Sequence, residues 1–242
     1  MKFKWVIFII LICSLCCWGK GKYNVILNPD EHSADKVKVL TDDYTLFILD
    51  YSNSMNEFLL EKSKYEMLLE SMKYILSRMS DTNKIGLRLY GQRWGITPLD
   101  ACRATSLVVP IDSGNVQSIS SALSKYKPRG MTPITYSLKQ AVQKDFRGLN
   151  GEKHIILITD GGENCDESPC KYAMELVKHR QDIKIDVIAF NIDNQSDLDQ
   201  LECVAKVTSG KMYNADTKAD LKRSLDRAFR TKKQVDAIII GE

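Results

Sequence analysis

The chain has 242 residues, 44% hydrophobic and 27% charged, and its 34 Lys and Arg against 31 Asp and Glu leave a net charge of +3. That mix is ordinary globular usage, which excludes a disordered, collagen-like or polytopic membrane chain, and so small a basic excess makes no case for a nucleic-acid partner. With 13 Gly and 6 Pro there is no long flexible linker, so one main domain is expected.

The chain opens with Lys2 and Lys4 ahead of residues 5–18, in which Ser14 is the only conventional polar side chain. This apolar run is shorter than the roughly 20 residues that span a bilayer, so residues 1–19 read as a secretory signal peptide cut before Lys20. An uncleaved N-terminal anchor and a lipoprotein acylated at Cys17 are the alternatives. Residues 20–42 form a leader, 43–230 the domain, and 231–242 a tail or short strand. Removing 1–19 leaves Cys102, Cys165, Cys170 and Cys203. An even count in an exported chain points to two disulfides, whereas a four-thiolate zinc site normally needs two close pairs. Only Cys165 and Cys170 are close, which suggests that they pair and leave Cys102 to Cys203. That second bridge would have to bring distant segments within about 7 Å, so the two pairings that link Cys102 and Cys203 separately to the loop cysteines stay open.

From residue 44 two periodicities alternate. Residues 46–49 are continuously apolar, as in a strand buried on both faces, and Tyr65, Leu68, Leu69, Met72, Ile75, Leu76 and Met79 then mark one helical face. Ile85, Leu87 and Leu89 alternate as a strand, Gly91 opens a loop, and 106–111 forms another strand near enough to make a hairpin edge. Val116, Ile119, Leu123 and Tyr126 predict a helix that stops at Pro128-Arg129-Gly130, and Pro133 restarts one carrying Leu138, Ala141 and Val142. Residues 154–159 form a second continuously apolar strand, ending at Asp160-Gly161-Gly162. Pro169 suits the first turn of the next helix, 185–192 is a strand, Ser196 can cap a helix containing Leu198, Leu201 and Val204, and Gly210 suits its C-terminal end. A short strand at 211–214 and a helix with Leu221, Leu225, Ala228 and Phe229 complete the pattern. Strands alternating with helices indicate βαβ units with helices on both sheet faces. In such sheets ligands bind beyond the carboxyl ends of the strands, so the loops after strands are where function is sought.

Three such segments gather chemistry: Asp50-Tyr51-Ser52-Asn53-Ser54, Gly130-Met131-Thr132-Pro133 and Asp160-Gly161-Gly162. Singly, Ser52, Ser54 or Thr132 suits a helix cap and Asp160-Gly161-Gly162 a turn. Jointly they offer two carboxylates and three hydroxyls, the oxygen-only set that a hard divalent cation prefers. Enzyme readings fare worse. There is no Gly-x-Ser-x-Gly elbow and no phosphate-cradling Gly-rich loop, Ser52 stands where haloacid-dehalogenase-type phosphatases place a second aspartate, and His32, His154 and His179 lie outside the predicted site.

Asp50-x-Ser52-x-Ser54, then Thr132, then Asp160-Gly161 resembles the metal-ion-dependent adhesion site of von Willebrand factor A domains, over roughly residues 43–229. Residues 129–134, 159–165 with Pro169-Cys170, and Leu201-Glu202-Cys203 are similar to a bacterial exported subgroup. The resemblance implies an α/β fold with a Rossmann-like, doubly wound, mostly parallel six-stranded sheet that has one antiparallel edge strand. It also implies Mg²⁺ or Mn²⁺ held by Asp50, Ser52, Ser54, Thr132 and Asp160, the last often through water. The expected function is that of a non-enzymatic, exported, metal-dependent binding module, either secreted, periplasmic or attached to the envelope, whose protein or matrix partner supplies an acidic group. Tyr51, Asn53 and Glu163 are the candidate partner contacts, and Arg93, Trp94 and Arg103 a candidate rim. A structural subunit of an envelope complex and a metal-dependent hydrolase are the alternatives.

Overall fold

The computed structural model describes residues 24–25, 39–40 and 43–238, with side chains from 43 to 230. The expected signal segment 1–19, with its anchor and lipoprotein alternatives, lies outside the described residues. Within the expected leader, 24–25 and 39–40 pair as a two-residue antiparallel ladder.

Six strands form the sheet: β1 (Tyr44–Asp50), β2 (Lys84–Tyr90), β3 (Thr105–Asp112), β4 (Lys153–Thr159), β5 (Ile183–Phe190) and β6 (Met212–Ala215). Their order is β6-β5-β4-β1-β2-β3, parallel throughout except for the antiparallel edge strand β3. The chain therefore winds outward in both directions from β1, and the strand order reverses between β1 and β4. Both strands are buried along their whole length, which is why their sequences read as unbroken apolar runs.

Alternation along β1 divides the interior into two cores. Phe47 and Leu49 face α1 (Lys64–Leu76), α2 (Val116–Leu123) and the last helix, while Leu46 and Ile48 face α3 (Ile134–Gln140), α4 (Pro169–Leu176) and α5 (Gln195–Val207). The last helix, α6 (Lys218–Ile238), continues through residues 231–238, where a tail or short strand was expected. No described helix is long and apolar enough to cross a membrane.

Local chemistry explains the helix ends. Ser63 caps α1 and forms a reciprocal capping box with Glu66, and Pro169 fills the first position of α4. Asn194, rather than Ser196, caps α5, because its side-chain oxygen accepts from the N–H groups of Ser196 and Asp197. At the other end of α5, Ser209 takes the left-handed conformation (φ 58°) expected of Gly210. Gly210 serves close packing instead, since a Cβ there would fall 1.8 Å from the Ile185 carbonyl oxygen.

One polar contact spans the α3-side core. α3 runs into a π-type turn at Ala141–Asp145, and Asp145 makes a two-pronged ion pair with Arg88 of β2 at 2.6 and 2.7 Å. Both side chains are buried. Removing one member of such a pair strands the other charge in the core. Asp145→Ala should therefore lower stability by about 3–5 kcal/mol in urea denaturation, and Asp145→Ala combined with Arg88→Met should recover much of that loss.

Candidate metal centre

The carboxyl ends of β1 and β4 bring Asp50 and Asp160 to the point where the strand order reverses. Asp50 is the last residue of β1 and is fully buried. One of its oxygens accepts from the Ser52 backbone N–H (2.7 Å) and the other from the Thr159 hydroxyl (2.8 Å), so no rotamer freedom is left to it. The Ser52 and Ser54 hydroxyls lie 3.0 Å apart, and Ser54 donates to Asp160 Oδ1 at 2.7 Å. Four of the five predicted ligands thus form one hydrogen-bonded cluster. Thr132 is buried in the adjoining loop, where its N–H donates to Asn164 Oδ1 at 2.7 Å. That loop is tied to the cluster through a parallel bridge between Ser52 and Gly130 and through the bond from Asn53 N–H to the Gly130 carbonyl (3.0 Å).

Glycine makes this convergence possible. Gly91 has φ +70°, and a Cβ on it would meet Ser52 N at 2.6 Å and the Met131 carbonyl at 2.8 Å. Its carbonyl accepts from the N–H groups of both Arg129 and Gly130. Three loops close on that one residue, which the sequence marked only as the opening of a loop.

One of the expected partner contacts is corrected, and a second is engaged by the chain itself. Tyr51 follows Asp50 and therefore points to the opposite face, the α1–α2 core, where its hydroxyl donates to the Leu123 carbonyl (2.7 Å) and its ring packs edge-on against Tyr65. It is fully buried and presents nothing to a partner. Glu163 spends both carboxylate oxygens on backbone N–H groups, those of Thr135 (2.7 Å) and Cys165 (3.0 Å), and so braces the loop behind Thr132. Asn53 is exposed beside the cluster. The rim loop is built rather than loose: Arg93 holds Asp100 through both guanidinium nitrogens at 2.8 and 2.9 Å, and Thr97 caps a single helical turn, Pro98–Ala101.

The disulfide pairing also differs from the one suggested by short spacing. Cys102 bridges Cys165, and Cys170 bridges Cys203, with Cα atoms 5.5 and 5.4 Å apart. Cys165 lies in the loop after β4, which faces the β2–β3 loop across the end of β1, whereas Cys170 lies in the first turn of α4 beside α5. The two close cysteines therefore serve different neighbours. The first bridge joins the rim loop to the loop carrying Asp160. All four described cysteines are in disulfides, so no thiolate among the described residues is available to a metal, and no three His, Cys, Asp or Glu side chains among them gather as a metal cluster.

Electrostatics test whether a cation fits. Burial raises the Asp50 carboxyl to about 7, and the negative charge of Asp160 adds to that rise. Asp160 is raised too, chiefly by burial, with Ser54 and then Lys64 opposing. Tyr90, fully buried near Asp50, is pushed well up by burial and then by the Asp50 charge. No ion pair among the described residues neutralises Asp50. A hard divalent cation fits this donor set: two carboxylates to balance its charge, and hydroxyls to complete the geometry.

Residues missed in the sequence include Thr159, which orients Asp50, Asn164, which holds the Thr132 backbone, and Lys64, whose ammonium reaches Asp160 Oδ2 at 3.1 Å. Thr159 and Asn164 flank Asp160-Gly161-Gly162 within the 159–165 block, which is the local signal for those two; Lys64 has none.

A family model described as von Willebrand factor type A domain matches residues 45–214. The uncharacterized protein YwmC of Bacillus subtilis (strain 168) is 29% identical over 180 residues, covering 73% of this chain and 78% of its own. Among solved structures, the mussel byssus proximal thread matrix protein 1, in the form with a zinc-occupied MIDAS motif, matches with a TM-score of 0.60 at 20% identity. That match covers 78% of this chain and 45% of the mussel protein, so the chain spans less than half of the latter's length. An aerotolerance-related membrane protein from Bacteroides fragilis NCTC 9343 matches with a TM-score of 0.59 at 16% identity, covering 77% of this chain and 98% of its own.

The raised carboxyl sets a pH dependence. Asp50 has an ordinary value of 3.8 and about 7 when folded, so the folded state binds the proton more tightly. Its contribution to metal-free stability is complete below pH 4 and is lost as pH rises to 7. In thermal melts with chelator, Tm should fall by several degrees over that interval, and Asp50→Asn should flatten the slope.

Proposed function

The chain belongs to the von Willebrand factor type A domain family, and from that premise we propose that it is an exported protein-interaction module that works through a divalent cation, Mg²⁺ or Mn²⁺. The observation that carries this reading is the convergence of Asp50, Ser52, Ser54 and Asp160, with the Thr132 loop tied alongside, at the switch point of the sheet. When bound there, the cation supplies a Lewis-acidic point that an acidic side chain of a partner completes. The chain's own residues do the rest. Asp50 is locked by Ser52 and Thr159, so its oxygens need no reordering to bind. Ser52 and Ser54 add neutral oxygens that leave the cation's charge unspent, and Asn53 lies exposed beside them.

The surroundings suit a protein partner. Of the exposed large apolar side chains, Phe58, Leu60, Trp94, Ile96, Leu99 and Met131 all lie in the connections beyond the carboxyl end of the sheet, Phe58 in a two-residue strand and Leu99 in the turn Pro98–Ala101. Trp94 is 69% exposed and Ile96 97%, on a loop held rigid by the Arg93–Asp100 pair and the Cys102–Cys165 bridge. Leu60 is 97% exposed at φ 63°, a conformation that an L-residue with a large side chain seldom adopts. Apolar side chains set out on rigid loops are what interfaces use, with Trp prominent among the residues that carry binding energy.

A binding role is favoured over catalysis because His154 is the second residue of β4, at the sheet end opposite Asp160, where it pairs with buried Asp186. Export is supported by the use of all four described cysteines in disulfides, which persist in oxidising compartments.

Asp50→Ala should abolish Mg²⁺ and Mn²⁺ binding in titration calorimetry while the far-ultraviolet circular dichroism stays that of the native fold. Unchanged affinity would overturn the assignment of the site. Trp94→Ser with Ile96→Ser should leave metal affinity and Tm unchanged yet reduce Mg²⁺-dependent capture of envelope proteins by about tenfold, given the usual weight of an exposed aromatic anchor. Capture that persists in chelator would count against the metal reading.

A further inference from the structure

Lys64 is the first residue of α1 and is 4% exposed. Two effects oppose an ammonium at that position: burial disfavours its charge, and the N-terminus of a helix repels a cation. It is held there by two acceptors, Asp160 Oδ2 at 3.1 Å and Glu57 Oε2 at 2.8 Å. The other oxygen of Asp160 accepts the Ser54 hydroxyl. Both oxygens of Asp160 are thus engaged by the chain itself, while Asp50 has no ion-pair partner among the described residues.

Resting on the metal-dependent reading above, we propose that Lys64 is a built-in counter-cation that sets the charge of the metal site and keeps it selective for an acidic partner. The counting is simple. Asp50 and Asp160 together cancel a divalent cation, which would leave the loaded site neutral and indifferent to a carboxylate. The ammonium of Lys64 restores one positive charge and occupies an oxygen of Asp160 that would otherwise turn to the metal. Lys64 therefore weakens metal binding and strengthens binding of the acid. Glu57, which is mostly exposed, draws the same ammonium the other way. It tempers the effect.

A plain structural staple between α1 and Asp160 makes the opposite forecast for the first quantity: without it the site loosens and the metal binds more weakly. Mn²⁺ titrations of the full chain, followed by water-proton relaxation, separate the two. The same samples, titrated with acetate, report how readily a carboxylate displaces water at the loaded site.

Lys64→Met, which keeps the stem and removes the charge, should bind Mn²⁺ about tenfold more tightly and require about tenfold more acetate, since one unit charge is removed from a partly desolvated site. Glu57→Gln changes an exposed side chain and should fold normally. It should shift both quantities severalfold in the opposite sense, and it tests the idea even if Lys64→Met does not fold. Equal or weaker Mn²⁺ binding by Lys64→Met, or no opposed shift in Glu57→Gln, overturns the role of Lys64 while the metal site stands. No Mn²⁺ binding by the unmodified protein overturns the metal reading and this inference together.

Discussion

Two carboxylates held out of water at the ends of adjacent parallel strands repel each other, and the loops at this end of the molecule are arranged around that repulsion. Asp50 cannot swing away, because Ser52 and Thr159 occupy its oxygens. Burial raises the Asp160 carboxyl, and Ser54 and then Lys64 oppose that rise without cancelling it. Burial first, and then the Asp160 charge, raise the Asp50 carboxyl to about 7. A divalent cation answers the repulsion, because it brings the charge that the protein lacks at that point.

The rest of the carboxyl end follows from keeping this pair in register. Gly91 lets three loops approach within contact of one another, and a side chain at that position would push Ser52 away from Met131. Glu163 and Asn164 tie the loop after β4 to the start of α3, and Cys102–Cys165 ties it to the rim. The site thus stands on a covalently and hydrogen-bonded frame rather than on mobile loops. Such a frame lets Trp94, Ile96 and Leu99 remain exposed without collapsing onto the surface, at the end of the molecule that carries the candidate metal centre.

Much of this was legible in the chain. The unbroken apolar runs at 46–49 and 154–159 announced strands buried on both faces, and buried parallel strands in turn implied a site at their carboxyl ends. Periodicity located the loops that carry Asp50, Ser52, Ser54, Thr132 and Asp160, and the family resemblance proposed these five as ligands. Tyr51 could not be judged the same way. Its neighbours in sequence are site residues, but strand alternation turns it into the opposite core. Glu163 reads as an exposed loop acid in the sequence, whereas in the fold it is half-buried because its oxygens accept from the Thr135 and Cys165 N–H groups.

Sequence by itself determined the alternation of elements, the chemistry of the oxygen set and the count of four cysteines beyond the leading apolar segment, because each depends on residue type and local spacing. Only the tertiary structure decided which cysteines pair, why Gly91 must lack a side chain and that Lys64 reaches Asp160. These are contacts between residues tens of positions apart, between segments that β1 and its neighbours bring together. Distance along the chain carries no information about them, since the crossover helices fold that distance away.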